Sequence, residues 1–393
     1  MNNGNADGLV FKTIHPFSDM KFVEELWTDL QKRSVHSYFN SWGWVSTWLL
    51  SLPTHIKVDL HIAYLEDIPV AAFFFGKTSG RKYGFLPFRS LALNATANPY
   101  YDGLYIEYNA ILYDSSISLN FTDILNYIRS LEWDELILPG VSNQFVLDFK
   151  LLNHHEKPHY YFLIDHNENA FYVNLQQIRD SKIDILQNLS SNRRSQLRRS
   201  IKQYEAQAKI QVKKASSTSE AVEIFEGLVQ QHQHEWKKRG WPGVFSNPFF
   251  YQFHKNLIQN RFSKDEIQLL HIHTTEMNIG YIYSFVYQGE VLFYQSGFNY
   301  QPDNHYRPGL ISHYFAILDN LQNNLNVYDF LAGDSTYKRV FATETKPVYW
   351  LRLYKNKPRY VFEENILRIK NKIKSMPFIF DFARKMRAFL NKP

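Results

Sequence analysis

An α+β fold in two domains is what this sequence predicts, and three observations carry it. Amphipathic helical stretches are interspersed with β-branched and aromatic runs in both halves of the chain. One pair of such runs in each half is joined by a short turn, Glu66-Asp-Ile-Pro69 in the first and Gln288-Gly-Glu290 in the second, which reads as a hairpin. At 393 residues the chain is also long for a single core. The boundaries fall at residues 1–168 and 169–358, with a basic tail over 359–393.

The first half opens with a helix over Phe17 to Arg33, N-capped by Ser18. Ser41-Trp-Gly-Trp-Val-Ser-Thr-Trp48 leads into a second short helix, and three tryptophans at that spacing anchor a core or stack on a ligand. Val58–Leu65 and Val70–Phe75 form the hairpin, followed by strand pieces at Tyr83–Phe85, Ser90–Leu93 and Ala110–Tyr113. Phe121–Leu131 is a helix with Ile124, Leu125, Ile128 and Leu131 on one side. Glu135–Leu138 and Tyr160–Ile164 are further strands.

The second half begins with a long helix from about Lys182 to Ala208. Its apolar stripe is Leu186, Leu189, Leu197, Ile201, Tyr204 and Ala208. Arg193 lies on that stripe, four residues from both Leu189 and Leu197, so it is expected to point inward and to need an anionic partner. Arg194, Arg198, Arg199 and Lys202 read as a solvated face. A further helix, Ser219 to Lys238, carries Ala221, Phe225, Val229, His232 and Trp236 on one face, with Glu235 close to it. His232 is then either a hydrogen-bonded core residue or a proton-transfer group, and Glu235 is a second candidate base. Strands follow at Ile267–His273, Ile279–Tyr287 and Val291–Gly297. Asn304-His-Tyr-Arg-Pro-Gly309 enters a helix over Leu310–Leu321, and is either an anion site at a helix N-terminus or a plain β-to-α connection. The strand Val327–Leu331, the turn Ala332–Lys338 and a closing strand Tyr349–Tyr354 complete the half.

Several chemistries are excluded or disfavoured. There is no cysteine, so disulfides, thiolate nucleophiles and cysteine-ligated metals are ruled out. His271 and His273 share a strand face without a third ligand in view, and no metal site is expected. No signal peptide is evident and the longest apolar run is Val70–Phe75, which gives a cytoplasmic location as the expectation. The net charge of +6 is placed unevenly: residues 365–393 hold eight Lys or Arg and one Asp, leaving the rest of the chain at −1. The tail's apolar rows, Ile366, Ile369, Ile373 and Met376 and then Ile379, Phe382, Ala383, Met386 and Leu390, are flanked by these cations. That pattern fits a helix on an anionic membrane surface, with peripheral contact at the inner face of the membrane, or a terminal helix packed on the body.

A set of spaced motifs then points to a family. Asn192-Arg-Arg with Arg198-Arg199, His232-x-x-x-Trp236, Arg239-Gly240, Gly297-Phe-Asn299, Pro308-Gly309 and Tyr328-Asp-Phe-Leu-x-Gly-Asp-x-x-Tyr-Lys338 occur in this order. Together they resemble the GNAT-type acyltransferase domain of CelD-like, cellulose-biosynthesis-associated proteins. More distantly they resemble Fem-type aminoacyltransferases, which use charged tRNA. Ser41–Trp48 and Asp102-Gly103 fit the N-terminal half of such proteins, and the resemblance spans Trp27 to Tyr354.

The resemblance implies tandem GNAT-like (acyl-CoA N-acyltransferase) domains, each a mixed sheet flanked by helices. It implies an amine attacking an acyl donor, acyl-CoA (acetyl-CoA first), with His232 or Glu235 as base and Tyr337 and Lys338 assisting at the acyl group. Arg307, Gly309 and Leu310 would face the donor's pyrophosphate, and Arg193, Trp236 and Asp334 the acceptor. The implied acceptor is an amine of a sugar, polysaccharide precursor or other small envelope-related molecule. A tRNA partner belongs only to the Fem-type alternative, and a non-catalytic scaffold in polysaccharide synthesis is the third reading.

Overall fold

A computed structural model describes residues 8–118, 121–151, 160–182, 184–206 and 208–374. The chain divides into two compact units, Met1–Asn167 with Val348–Pro393, and Glu168–Pro347.

The first unit starts with β1 (Val10–Ile14) and α1 (Met20–Lys32). The N-cap of α1 is Asp19, which accepts from the Phe22 amide at 3.0 Å, one residue beyond the expected Ser18. α2 (Trp42–Ser51) is capped by Ser41, and Trp42, Trp44 and Trp48 are all buried, so the aromatic cluster is core. β2 (Val58–Leu65) and β3 (Ile68–Lys82) pair with Leu65 opposite Ile68. Their turn is therefore only Glu66 and Asp67, both at positive φ (49° and 64°), which matches the twist of a two-residue hairpin. β4 (Leu86–Leu93) continues the sheet antiparallel to β3, and the short β5 (Leu112–Tyr113) also pairs with β3. α3 (Phe121–Ser130) buries Ile124, Leu125 and Ile128 as its stripe predicts. β6 (Glu135–Ser142) lies parallel to β4 and is followed by α4 (Asn143–Leu151). β7 (Tyr161–Asn174) is far longer than the expected Tyr160–Ile164, and its residues from Glu168 onward belong to the second unit.

The second unit continues with α5 (Leu175–Ser181), α6 (Ser191–Tyr204), β8 (Gln211–Lys214), α7 (Thr218–Lys238) and α8 (Pro248–Arg261). Then come β9 (Ile267–His273), β10 (Asn278–Tyr287), β11 (Glu290–Phe298), α9 (Pro308–Gln322), β12 (Val327–Ala332) and α10 (Thr336–Phe341). Strands β8 to β11 form an antiparallel meander, β12 joins β11 in parallel, and β7 closes on β12 antiparallel. Gly297 of β11 lies so close to α7 that a Cβ there would sit 2.6 Å from the Leu228 carbonyl oxygen. Its neighbour Phe298 faces the other way and meets His313 of α9 at 5.6 Å. Adjacent strand residues point to opposite faces, so α7 and α9 cover the two sides of this sheet.

The predicted Lys182–Ala208 helix is interrupted. Ser190 caps a new start by accepting from the Arg193 amide, and the helix ends at Tyr204. β13 (Glu344–Tyr354), whose last part the sequence reading keeps in the second domain, pairs antiparallel with β6 from Val348 onward, Tyr354 opposite Glu135. Those residues belong to the first unit, as does α11 (Lys357–Lys374). The tail's second apolar row, Ile379 to Leu390, lies outside the described residues. Among the described residues no helix is long and apolar enough to cross a membrane.

Candidate functional site

The parallel pairing of β11 with β12 stops early. It holds Glu290, Val291 and Leu292 against Val327, Tyr328 and Asp329, while β11 runs on to Phe298 and β12 to Ala332. Beyond that point the strands diverge, for two local reasons. In β11 the register slips at Tyr283/Ser284, leaving Tyr294 as a bulge between Phe293 and Gln295. In β12 Leu331 adopts φ +59°, a costly conformation for an apolar side chain, with its amide held by the buried Asp329 carboxylate at 2.7 Å.

A cleft of about 470 Å³ opens where the strands diverge. One wall comes from α7 through His232, Glu235, Trp236 and Arg239; the floor comes from β11 through Phe293 to Ser296 and Phe298; the far wall is Asp334, Ser335, Tyr337 and Lys338, after β12. The sequence candidates His232, Glu235, Trp236, Asp334, Tyr337 and Lys338 thus line one cavity, although they are a hundred residues apart in the chain.

His232 is held in one tautomer. The Gln233 Nε2 donates to the Pro242 carbonyl at 2.7 Å, so its oxygen is the atom that faces the ring. That oxygen lies 3.1 Å from His232 Nδ1 and can only accept, so Nδ1 carries the hydrogen and Nε2 keeps its lone pair. The pairing needs Gly243, at φ +69°, because a Cβ there would collide with the same Gln233 oxygen. Burial, reinforced by the Arg239 charge, holds His232 at about 4, so the ring is neutral at physiological pH. Glu235 is buried but its carboxylate is engaged by Lys238 at 3.0 Å.

Across the cleft, burial pushes the Tyr337 hydroxyl up to about 12, so it stays protonated; its ring stacks on the fully buried His313 at 4.3 Å. Lys338 is buried and its ammonium donates to the Leu331 and Ala332 carbonyls at 3.1 and 2.6 Å, bracing the bent end of β12. Asp334 pairs with Arg339 at the rim, rather than with Lys338. Arg239 lies over the rings of Trp236 and Tyr300 at 5.7 and 5.2 Å. Tyr300 and the bulged end of β11 are cleft residues the sequence reading did not select, and Arg239 entered it only as part of a motif, without a site role. A bulge leaves no trace in the alternation of side chains, and Tyr300 follows the strand in an aperiodic loop.

The remaining candidates lie elsewhere. Arg307 is the N-cap of α9, with its amide donating to the buried Ser200 of α6 at 3.2 Å. Gly309 and Leu310 are buried in the first turn, Gly309 against the rings of Phe298 and Tyr337. Among the described residues no side chain caps this helix, and since Pro308 has no N–H, the amides that helix geometry leaves for another acceptor are those of Gly309 and Leu310. Arg193 corrects the expectation. It is exposed and its guanidinium donates to the Arg339 carbonyl at 2.8 Å, not to an anion. The azimuth is right, but Ser190 starts the helix so late that Arg193 falls in an exposed first turn ahead of the buried Leu197. Arg194 is half-buried. Among the described residues no ion pair engages Arg194, Arg198, Arg199, Lys202 or Arg307.

Residues 191–339 match the family model described as an acetyltransferase (GNAT) domain. No curated protein matches the chain in sequence. Among solved structures, FemX superposes with a TM-score of 0.55 at 10% identity, covering 90% of this chain and 100% of that one. L-PGS from Bacillus licheniformis gives 0.50 at 12% identity, with 88% and 96% covered. A conserved protein of unknown function from Bacteroides thetaiotaomicron VPI-5482 gives 0.50 at 10%, with 88% and 99% covered. The fold is α+β, of tandem GNAT-like domains with mixed sheets flanked by helices.

Proposed function

We propose that the protein is an acyltransferase whose reaction takes place in the second unit's cleft, moving an acyl group from acyl-CoA to an amine. The observation that carries this reading is the neutral, tautomer-fixed His232 in a cavity at the divergence of β11 and β12. The match of residues 191–339 to the acetyltransferase domain supports it. In the proposed step the amine nitrogen attacks the thioester carbonyl and the C–N bond forms. The ammonium proton passes to His232 Nε2, and the C–S bond breaks to release the thiol, protonated from the Tyr337 hydroxyl. The cleft's apolar floor, Phe293 and Phe298, would seat the acyl chain, with the donor phosphates at the start of α9 beside Arg307. The resemblance to cellulose-biosynthesis-associated proteins supports a saccharide or other envelope-related amine as acceptor, with Trp236 and Tyr300 as stacking surfaces.

One observation favours a second reading. α6 meets the start of α9 through Ser200, and no carboxylate among the described residues pairs with its cations Arg194, Arg198, Arg199 and Lys202. A polyanionic donor such as aminoacyl-tRNA would use those cations, and the likeness to FemX is a likeness of fold that accommodates it. The test is donor binding by calorimetry with acetyl-CoA, longer acyl-CoAs, charged tRNA and uncharged tRNA, followed by transfer to amino sugars. Acyl-CoA binding with transfer lost in His232→Ala supports the first reading, and charged tRNA alone as donor supports the second. No donor binding at millimolar acyl-CoA, together with equal weak binding of both tRNAs, would leave only a scaffold.

A further inference from the structure

In the first unit, α11 leaves the body with an apolar row in solvent. Phe362, Ile366, Ile369 and Ile373 are spaced by four, three and four, which puts them on one helical face. From Arg368 to Ile373 every residue is exposed, and Ile369 and Ile373 keep 55% and 43% of their surface open. Arg368 and Lys372 run along one side of the row and Lys370 along the other, and the last acid of the helix is Glu364, already paired with Arg368.

The tip of the β3–β4 hairpin extends the same face. Phe85 is 65% exposed and Tyr83 is 42% exposed, and both rings meet Phe362 edge-on, at 6.3 and 5.6 Å. Lys370 lies over the Tyr83 ring at 6.0 Å. The tip is fastened to the helix, since the Tyr83 hydroxyl donates to the buried Glu363 at 2.9 Å, and Arg352 binds that carboxylate from below. Two exposed aromatics and an isoleucine row therefore form one rigid surface rather than a loose end.

We propose that this surface, the Tyr83–Phe85 tip with the Phe362–Ile373 row, docks on an anionic membrane, with α11 lying in the headgroup plane. An apolar row between basic rows places hydrocarbon at the acyl boundary and cations at the phosphates, and Tyr and Phe suit that depth. Charge complementarity selects this occupant. A second copy would bring like-charged flanks together, and a nucleic acid would leave the isoleucine row without a partner.

The test is sedimentation of the full chain with vesicles of about 30% phosphatidylglycerol in phosphatidylcholine, and with phosphatidylcholine alone. The parent pellets with the anionic vesicles only, and less at high salt. The double variant Ile369→Ser/Ile373→Ser and the variant Phe85→Ser each weaken partitioning by roughly tenfold with unchanged melting curves. Lys370→Glu, which keeps the apolar row intact, weakens it as well and covers the case in which a serine variant fails to fold. Failure of the parent to pellet overturns the proposal. So does parental binding by these variants, which would put the contact elsewhere in the chain, or a dimer in solution that the double variant dissolves.

Discussion

Replacing Gln233 by leucine tests the proposed chemistry at its most specific point. The substitution shortens the side chain by one atom and removes both the oxygen that takes the His232 Nδ1 hydrogen at 3.1 Å and the amide that donates to the Pro242 carbonyl. A neutral hydrogen bond contributes about 1 kcal/mol net, within a range of about 0.5–1.5, so the tautomer with a free Nε2 lone pair loses roughly two- to tenfold of its advantage. kcat should fall by about that factor while donor KM holds, because no donor contact is removed. His232→Ala should cost more, about 10²–10⁴-fold, the usual worth of a positioned base. The assay is steady-state kinetics over pH 4–8, with ¹⁵N shifts of the imidazole reporting the tautomer. Burial and the Arg239 charge hold His232 at about 4, so its contribution to the acid limb should inflect there rather than near 6.5. In Gln233→Glu a carboxylate beside Nδ1 favours the cation, so that limb should move upward. A parental kcat in Gln233→Leu with a changed tautomer signal would refute the reasoning. So would an acid limb that ignores Gln233→Glu.

Further outcomes follow from the same structure. His61 is held at about 4, and His254 and His313 are pushed well below the ordinary histidine range, all chiefly by burial. The unfolded chain then binds more protons below about pH 6.5, so urea midpoints should fall on acidification from pH 6.5 towards 4, by at most about 1.4 kcal/mol per pH unit for each histidine; a flat profile would contradict this. Lys338→Met removes the charged donor that binds the Leu331 and Ala332 carbonyls and should destabilise by about 1.5–3 kcal/mol in urea unfolding, whereas a loss below about 1 kcal/mol would show that it does not brace the bend. Gly297→Val forces α7 off β11, since its Cβ would lie 2.6 Å from the Leu228 oxygen, and about 1–3 kcal/mol should be lost in thermal unfolding. Arg198→Glu/Arg199→Glu changes two exposed residues, so it should leave melting intact and abolish charged-tRNA binding if tRNA is the donor, while an unchanged affinity removes that reading.

What was legible in the sequence was local and periodic. The hairpin at Gln288-Gly289 shows in the residues because positive φ at a two-residue turn demands such residue types. The α7 face shows because its apolar stripe carries His232 and Trp236 at helical spacing. What was not legible depends on depth or on pairing. Arg193 has the right azimuth, and only the cap at Ser190 reveals that its turn is exposed. The end of β13 reads as a strand of the second half, yet its ladder partner is β6, more than two hundred residues earlier. The bulge at Tyr294 and the positive φ of Leu331, which open the cleft, occur in runs that look like ordinary buried strand.

The same strand event occurs once in each unit, with opposite consequences. β4 and β6 also pair in parallel over only three residues, Ser90 to Ala92 against Glu135 to Ile137. Beyond Ala92 the chain does not leave an opening. Residues 94–110 turn back into the gap, and the Asn109 amide donates to the Gly140 carbonyl at 2.9 Å, continuing the parallel bridge along β6. The filling is secured by polar groups that only this arrangement satisfies. Asn94 takes the Phe74 amide and gives its own hydrogens to Asn109 and the Ala110 carbonyl, while Asn109 donates to the Leu93 carbonyl, at 2.8–2.9 Å throughout. In the second unit the chain after Phe298 goes instead to α9, and among the described residues no strand or bridge pairs between the diverging ends of β11 and β12. A buried asparagine network is costly to unmake, because each freed amide would stay desolvated. A donor tail therefore has a ready entrance at the second parallel pair and a closed one at the first, which is why the proposed chemistry is assigned to residues 168–347 alone.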